Sequence, residues 1–182
     1  LENSRYNKPG YVKIFKYNGI SWIQKGKSIR GKETMDRFGK SISINNAGNV
    51  IAIGADYELE TVQQPGIAGY VSVYTFNESK NDWELKGQTL DGRLESDYVN
   101  LMFGHSVSID GSGNILSVGA PTFDSDGSNH LETFTLVYQY NKQNNLWSKI
   151  NLTNNSGKIG SEAYNKAGSS VALSSDGTVL WD

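Results

Sequence analysis

Phe38-Gly39-Lys40-Ser41-Ile42-Ser43-Ile44 returns as Phe103-Gly104-His105-Ser106-Val107-Ser108-Ile109, and again, without the Phe, as Ala167-Gly168-Ser169-Ser170-Val171-Ala172-Leu173. The three glycines stand 65 and then 64 residues apart. A period of that length, built from short apolar runs, implies one small sheet per repeat. Each sheet must stack on its neighbours, because alone it cannot cover both of its faces.

Working outward from this run, each repeat reads as four strands. The Ser-Ile-Ser-Ile segment is the first. A short turn follows, at Asn45-Asn46-Ala47-Gly48-Asn49, Asp110-Gly111-Ser112-Gly113-Asn114 and Ser174-Ser175-Asp176-Gly177-Thr178. Gly and Asn tolerate positive φ, so these are hairpin loops. Val50 to Ala55 and Ile115 to Ala120 form the second strand. The third is Tyr11 to Tyr17, Tyr70 to Phe76 and Phe134 to Tyr140, and the fourth starts at Trp22, Trp83 and Trp147. Asn18-Gly19 is a strong hairpin signal between strands three and four of the first unit. No segment carries sustained helical periodicity.

The chain therefore divides into strands three and four of one unit (1–37), two whole units (38–102 and 103–166), and strands one and two of another (167–182). The expected fold is all-β, with about twelve strands in four-stranded antiparallel sheets. Middle strands covered on both faces should be apolar on both sides, as Val50 to Ala55 is. A crowded inner strand suits small residues, here Ser41, Ser43, Ser106 and Ser108. Gly39, Gly104 and Gly168 would permit close backbone approach between units. The tryptophans would supply large contacts between sheets. Trp181 and Asp182 fall where the pattern has Ala52 and Ile53, and so are expected to break the repeat.

Composition removes several function classes. The formal net charge of −2 gives no reason to expect a nucleic-acid or anionic-membrane partner. The absence of cysteine excludes disulfides and thiolate chemistry. No stretch approaches the roughly 20 apolar residues of a membrane-spanning helix, and the polar run Leu1 to Gly10 reads as no signal peptide. Twenty glycines, ten tyrosines and three prolines suit short strands joined by tight turns.

Phe103-Gly104 followed by Gly119-Ala120-Pro121 resembles the FG-GAP repeat of integrin α-subunit β-propellers and their microbial relatives. Phe38-Gly39 with Gly54-Ala55-Asp56 is the same pattern with Asp for Pro, and the third copy keeps Gly168. The longer pattern is similar to extracellular FG-GAP-like repeats of marine protists, bacteria and large DNA viruses. The resemblance implies propeller blades, about three blades' worth, belonging to a larger six- or seven-bladed ring. It also implies a non-catalytic structural or adhesive role at a cell or virion surface. The partners would be proteins or further blades of the same polypeptide, with glycans as another possible class. Integrin-type repeats often carry an acidic calcium loop between the two motifs. Here that loop is five residues with at most one carboxylate, Asp110 or Asp176, and a hard cation wants about six to eight oxygens.

Candidate chemistry is sparse. Asp124 and Asp126, in Asp124-Ser125-Asp126-Gly127, could offer oxygens to calcium, and the same string is equally a solvated turn. Asp56, Glu58 and Glu60 show no ligand spacing. His105 and His130 stand outside any nucleophile-elbow, zinc or phosphate-loop motif, so His105 reads as a packed or channel-lining residue and no catalytic residue is assigned. Asn77, Asn151 and Asn154 head N-glycosylation sequons. Tyr6, Tyr11, Tyr57 and Tyr98 could line a binding face or pack at an edge. Besides a structural or adhesive module, two functions stay open: a carbohydrate- or calcium-binding module using the loops after the Gly-Ala strands, and a propeller enzyme.

Overall fold

The computed structural model of the chain describes residues 9–32, 36–56, 68–95, 102–121, 133–150, 158–159 and 166–182. The N-terminal region forms β1 (Tyr11–Val12), β2 (Phe15–Tyr17), β3 (Trp22–Gln24) and β4 (Ile29–Arg30). Next come β5 (Ser41–Ile44), β6 (Val50–Ala55), β7 (Tyr70–Asn77), β8 (Asp82–Leu85) and β9 (Leu90–Asp91). A 3₁₀ turn at Gly92–Leu94 precedes β10 (Ser106–Ile109), β11 (Ile115–Ala120), β12 (Phe134–Asn141), β13 (Leu146–Lys149) and β14 (Lys158–Ile159). β15 (Ala172–Leu173) and β16 (Leu180–Trp181) close the list. Every pairing is antiparallel, and no α-helix occurs among the described residues. No helix there is long and apolar enough to cross a membrane.

The two whole units are meanders of one design, β5-β6-β7-β8 and β10-β11-β12-β13. Their registers match: Ser41 pairs with Gly54 as Ser106 does with Gly119, and Phe76 pairs with Trp83 as Tyr140 does with Trp147. The count rises above twelve because single sequence strands are interrupted. Lys25 N and Lys86 N still bond back to Ile14 O and Val73 O, at 2.8 and 2.7 Å. The next residues, Gly26 and Gly87, then leave the ladder with φ of 73° and 76°, a backbone region that glycine enters without steric penalty. Pairing resumes in β4 and β9. In the second whole unit β13 and β14 likewise share β12. The third sequence strand of the first unit is also split, into β1 and β2.

The sheet of the first whole unit is covered on both faces by its neighbours. Along β6 the side chains alternate between two cores. Val50 and Ala52 join Val71, Val107, Leu116, Leu136, Tyr138 and Trp147, whereas Ile51, Ile53 and Ala55 join Val12, Ile14, Ile29, Tyr70, Phe76 and Trp83. All six residues of β6 are buried, the reason this strand reads as continuously apolar rather than alternating. Burying a large aliphatic side chain contributes about 1.5–3 kcal/mol, and both clusters join residues of neighbouring units. The first strands lie side by side, β10 beside both β5 and β15.

Trp181 and Asp182 do not break the pairing. Ala172 faces Trp181 where Ser43 faces Ala52 and Ser108 faces Ser117. Asp182 Oδ1 accepts from Gly168 N at 2.7 Å. In the earlier units the corresponding amides of Gly39 and Gly104 bond to the carbonyls of Gly54 and Gly119. A carboxylate thus occupies the place of a backbone acceptor.

Candidate functional site

The surfaces between units hold most of the polar geometry, and that geometry recurs. Ser41 Oγ donates to Gly104 O and Ser106 Oγ to Gly168 O, each at 2.7 Å. Ser43 Oγ accepts from Ile109 N at 3.0 Å and Ser108 Oγ from Leu173 N at 2.9 Å. These serines are thus more than small: alternate hydroxyls of the first strand substitute for ladder bonds to the next unit, which a sequence pattern alone does not reveal. The Phe-Gly glycines have φ of 95°, 86° and 81° at Gly39, Gly104 and Gly168. The Gly-Ala glycines meet them face on, since a Cβ on Gly54 would overlap Gly104 O and one on Gly119 would overlap Gly168 O.

A second recurring contact joins the outer strands. Trp83 Nε1 donates to Lys25 O at 2.8 Å, and Trp147 Nε1 to Lys86 O at 2.7 Å. The lysine ammoniums lie over aromatic rings, Lys25 4.4 Å from the centroid of Phe76 and Lys86 4.4 Å from that of Tyr140. Each then reaches a hairpin-loop carbonyl, Gly48 O at 2.8 Å and Gly113 O at 2.6 Å. Burial holds Lys86 below the usual lysine range, against the opposing charge of Asp110. Lys86→Ala removes the loop hydrogen bond and the cation–π contact. It is expected to lower stability by about 1–3 kcal/mol in urea melts, with no change at all counting against the contact.

One ionic cluster belongs to a single interface. Asp56, fully buried at the end of β6, places Oδ2 2.6 Å from His105 Nδ1 and Oδ1 3.3 Å from Arg37 Nε. Burial pushes its carboxyl above the ordinary range, opposed by the His105 hydrogen bond and the nearby charges of Arg37, His105 and Lys40. From sequence alone Asp56 is one of three acidic loop residues without ligand spacing. The available signal was substitution between repeats: Asp56 stands where the next unit has Pro121, and His105 where the flanking copies have Lys40 and Ser169. A further buried carboxylate, Asp36, accepts from Lys32 N at 2.9 Å, Phe38 N at 3.0 Å and the Tyr70 hydroxyl at 2.5 Å. Both groups bind protein donors and act as joints.

The hairpin loops at the place of the integrin-type calcium loop are closed on themselves. Asp110 Oδ1 accepts from Asn114 N and Ile115 N, each at 2.7 Å, and Oδ2 from the Ser112 amide and hydroxyl at 3.1 and 2.5 Å. Burial raises this carboxyl, but the Ser112 hydroxyl and the three amides outweigh it, so its pKa lies below the usual value. Asp176, bonded chiefly by Ser174 and Thr178, is lowered to about 2. Asn45 Oδ1 makes the same two amide bonds in the preceding loop, at 3.0 and 2.9 Å. An amide can therefore replace the carboxylate, and Asp110→Asn is expected to cost only about 1 kcal/mol. A depressed folded pKa adds stability above the unfolded value that is lost as pH falls through the folded one. The wild-type advantage over the variant should therefore vanish on the acid side in paired thermal melts; an advantage independent of pH would contradict the assignment. Millimolar calcium is expected to leave the melting temperature unchanged; a rise that Asp110→Asn abolishes would be the contrary result.

Among the described residues no group of three or more His, Cys, Asp or Glu is arranged to hold a metal. Asp124, Asp126, Asn151 and Asn154 lie outside the described residues, as do His130, Tyr6, Tyr57 and Tyr98. Asn77 closes its own turn: Oδ1 accepts from the Ser79 amide and hydroxyl at 3.0 and 2.7 Å, and Nδ2 donates to Glu84 Oε2 at 2.9 Å. A glycan on Nδ2 would compete with that last bond. Tyr11 is exposed, with Arg30 5.9 Å from its ring centroid. Trp83 and Trp147 sit in the cores at 8% and 3% exposure, whereas Trp22 is 68% exposed. No protein-family model matches the chain, and no curated protein matches it.

Proposed function

We propose that the chain forms consecutive blades of a β-propeller and serves as a non-catalytic structural or adhesive module in an extracellular or surface assembly, binding protein partners or further blades. The observation that carries this reading is the recurrence of one contact set at successive interfaces: serine to Phe-Gly carbonyl, Gly-Ala glycine against Phe-Gly glycine, tryptophan to lysine carbonyl. Side-by-side first strands and sheets covered on both faces are the geometry that radial stacking requires. The Phe-Gly and Gly-Ala motifs meet at the junction between units, which agrees with their resemblance to FG-GAP repeats. Asp36, Asp56 and the loop residue Asp110 bind protein donors or cations of the chain itself, which supports reading them as joints.

The reading is tested by adhesion. Beads coated with the chain should be retained on protein-coated surfaces, with retention unchanged by chelator or free sugars. Retention confined to particular glycans on an array would move the assignment to carbohydrate binding, and turnover in a hydrolase screen would refute the non-catalytic role.

A further inference from the structure

The first unit carries an exposed copy of a surface that is covered elsewhere in the molecule. Tyr17 and Trp22 face each other across β2 and β3, as Phe76 and Trp83 do across β7 and β8, and Tyr140 and Trp147 across β12 and β13. The ring centroids are 5.5, 5.2 and 5.3 Å apart, so the aromatic pair is already formed. Beside it Phe15, two residues from Tyr17 and so on the same face of β2, is exposed, as is Ile20 in the turn. A contiguous apolar patch of this kind marks an interaction surface more often than chance exposure does.

The two internal copies are covered in the same way. Trp83 receives Lys25-Gly26, and Trp147 receives Lys86-Gly87. The lysine offers its carbonyl to the indole and its ammonium to the neighbouring ring. The glycine lies flat against the indole edge: a Cβ on Gly26 would stand 2.8 Å from Trp83 Cδ1, and one on Gly87 2.6 Å from Trp147 Cδ1. We propose that the exposed Tyr17–Trp22 face is a docking site for the Lys-Gly edge of a further repeat unit of this class, and that a second copy of this chain does not fill it.

A second copy is excluded by the second whole unit. Ile150 N bonds to Val137 O at 2.8 Å, the place held by Lys86 and Lys25 in the earlier units. A copy stacked end to end would thus bring Ile150-Asn151 to Trp22. Isoleucine has no ammonium for the ring, and a Cβ at the second position would press on the indole, as one on Gly26 or Gly87 would. The proposal rests on units stacking as described and is independent of whether a ring closes.

The test joins residues 38–121 ahead of Leu1 of the full chain, so that the added Lys86-Gly87 precedes a pair of first and second strands able to pair with Tyr11 to Tyr17. Indole N–H exchange of Trp22 is followed by NMR in this extended chain, in the chain itself, and in an extended chain with Lys86→Ile and Gly87→Asn in the added segment. Exchange at Trp22 should slow about tenfold or more in the first and return in the third. Unchanged exchange beside an added unit whose Val50 to Ala55 amides are protected would overturn the proposal, as would equal protection by the Ile-Asn variant. Concentration-dependent protection in the unextended chain would show that a second copy fills the face, and would also overturn it. Unprotected amides throughout the added unit would count against the stacking of units itself, and the proposal would fall with it.

Discussion

Trp147→Ala is expected to lower unfolding free energy by about 3–5 kcal/mol, whereas Trp22→Ala should change it by less than about 0.5 kcal/mol. The two tryptophans hold the same position in the repeat, pair with a tyrosine in the same way, and would be ranked alike from sequence. Burial separates them: Trp147 is 3% exposed and Trp22 68%. Truncating Trp147 also leaves Lys86 O without its indole donor, now at 2.7 Å. Denaturant melts of the two variants decide the matter. Comparable losses would mean that Trp22 is packed as its relatives are, and would remove the contrast on which the docking surface depends.

Gly119→Val is expected to cost about 2–4 kcal/mol, against less than about 0.5 kcal/mol for Gly48→Asn. A side chain at 119 runs into Gly168 O and Ser106 Oγ, forcing two units apart and breaking the Ser106 bond to Gly168 O. Gly48 has φ of 63° and nothing within 4 Å of its absent Cβ, and asparagine tolerates that backbone region. Similar midpoints for the two variants would show that the Gly-Ala glycine does not sit at the junction.

The repeat, the hairpin turns and the doubly covered middle strands were legible because each follows from local chemistry: glycine and asparagine at turns, and six apolar or small residues without alternation from Val50 to Ala55. The breaks in the fourth strand were not, since Lys86-Gly87 reads as ordinary strand-end sequence until Trp147 is placed against it. The serines looked merely small because their acceptors, Gly104 O and Gly168 O, lie more than 60 residues away. Asp56 and His105 were visible as departures from the repeat, but their meeting depends on how two units stack, and spacing within one unit carries no such information. The same holds for Trp22, whose exposure depends on what lies beside its sheet.

The trio of buried Asp56 with half-buried Arg37 and His105 gives one joint an identity that the others lack. Units built alike could in principle stack out of order, since serine, glycine and tryptophan contacts are interchangeable along the series. Shifted by one unit, Asp56 would meet Ser169 in place of His105, and its desolvated carboxyl would lose the hydrogen bond to the imidazole. Removing a partner from a buried charge typically costs about 3–5 kcal/mol. The trio therefore works as an index mark: it adds little to how strongly the units hold, and it tells the second unit which neighbour is its own.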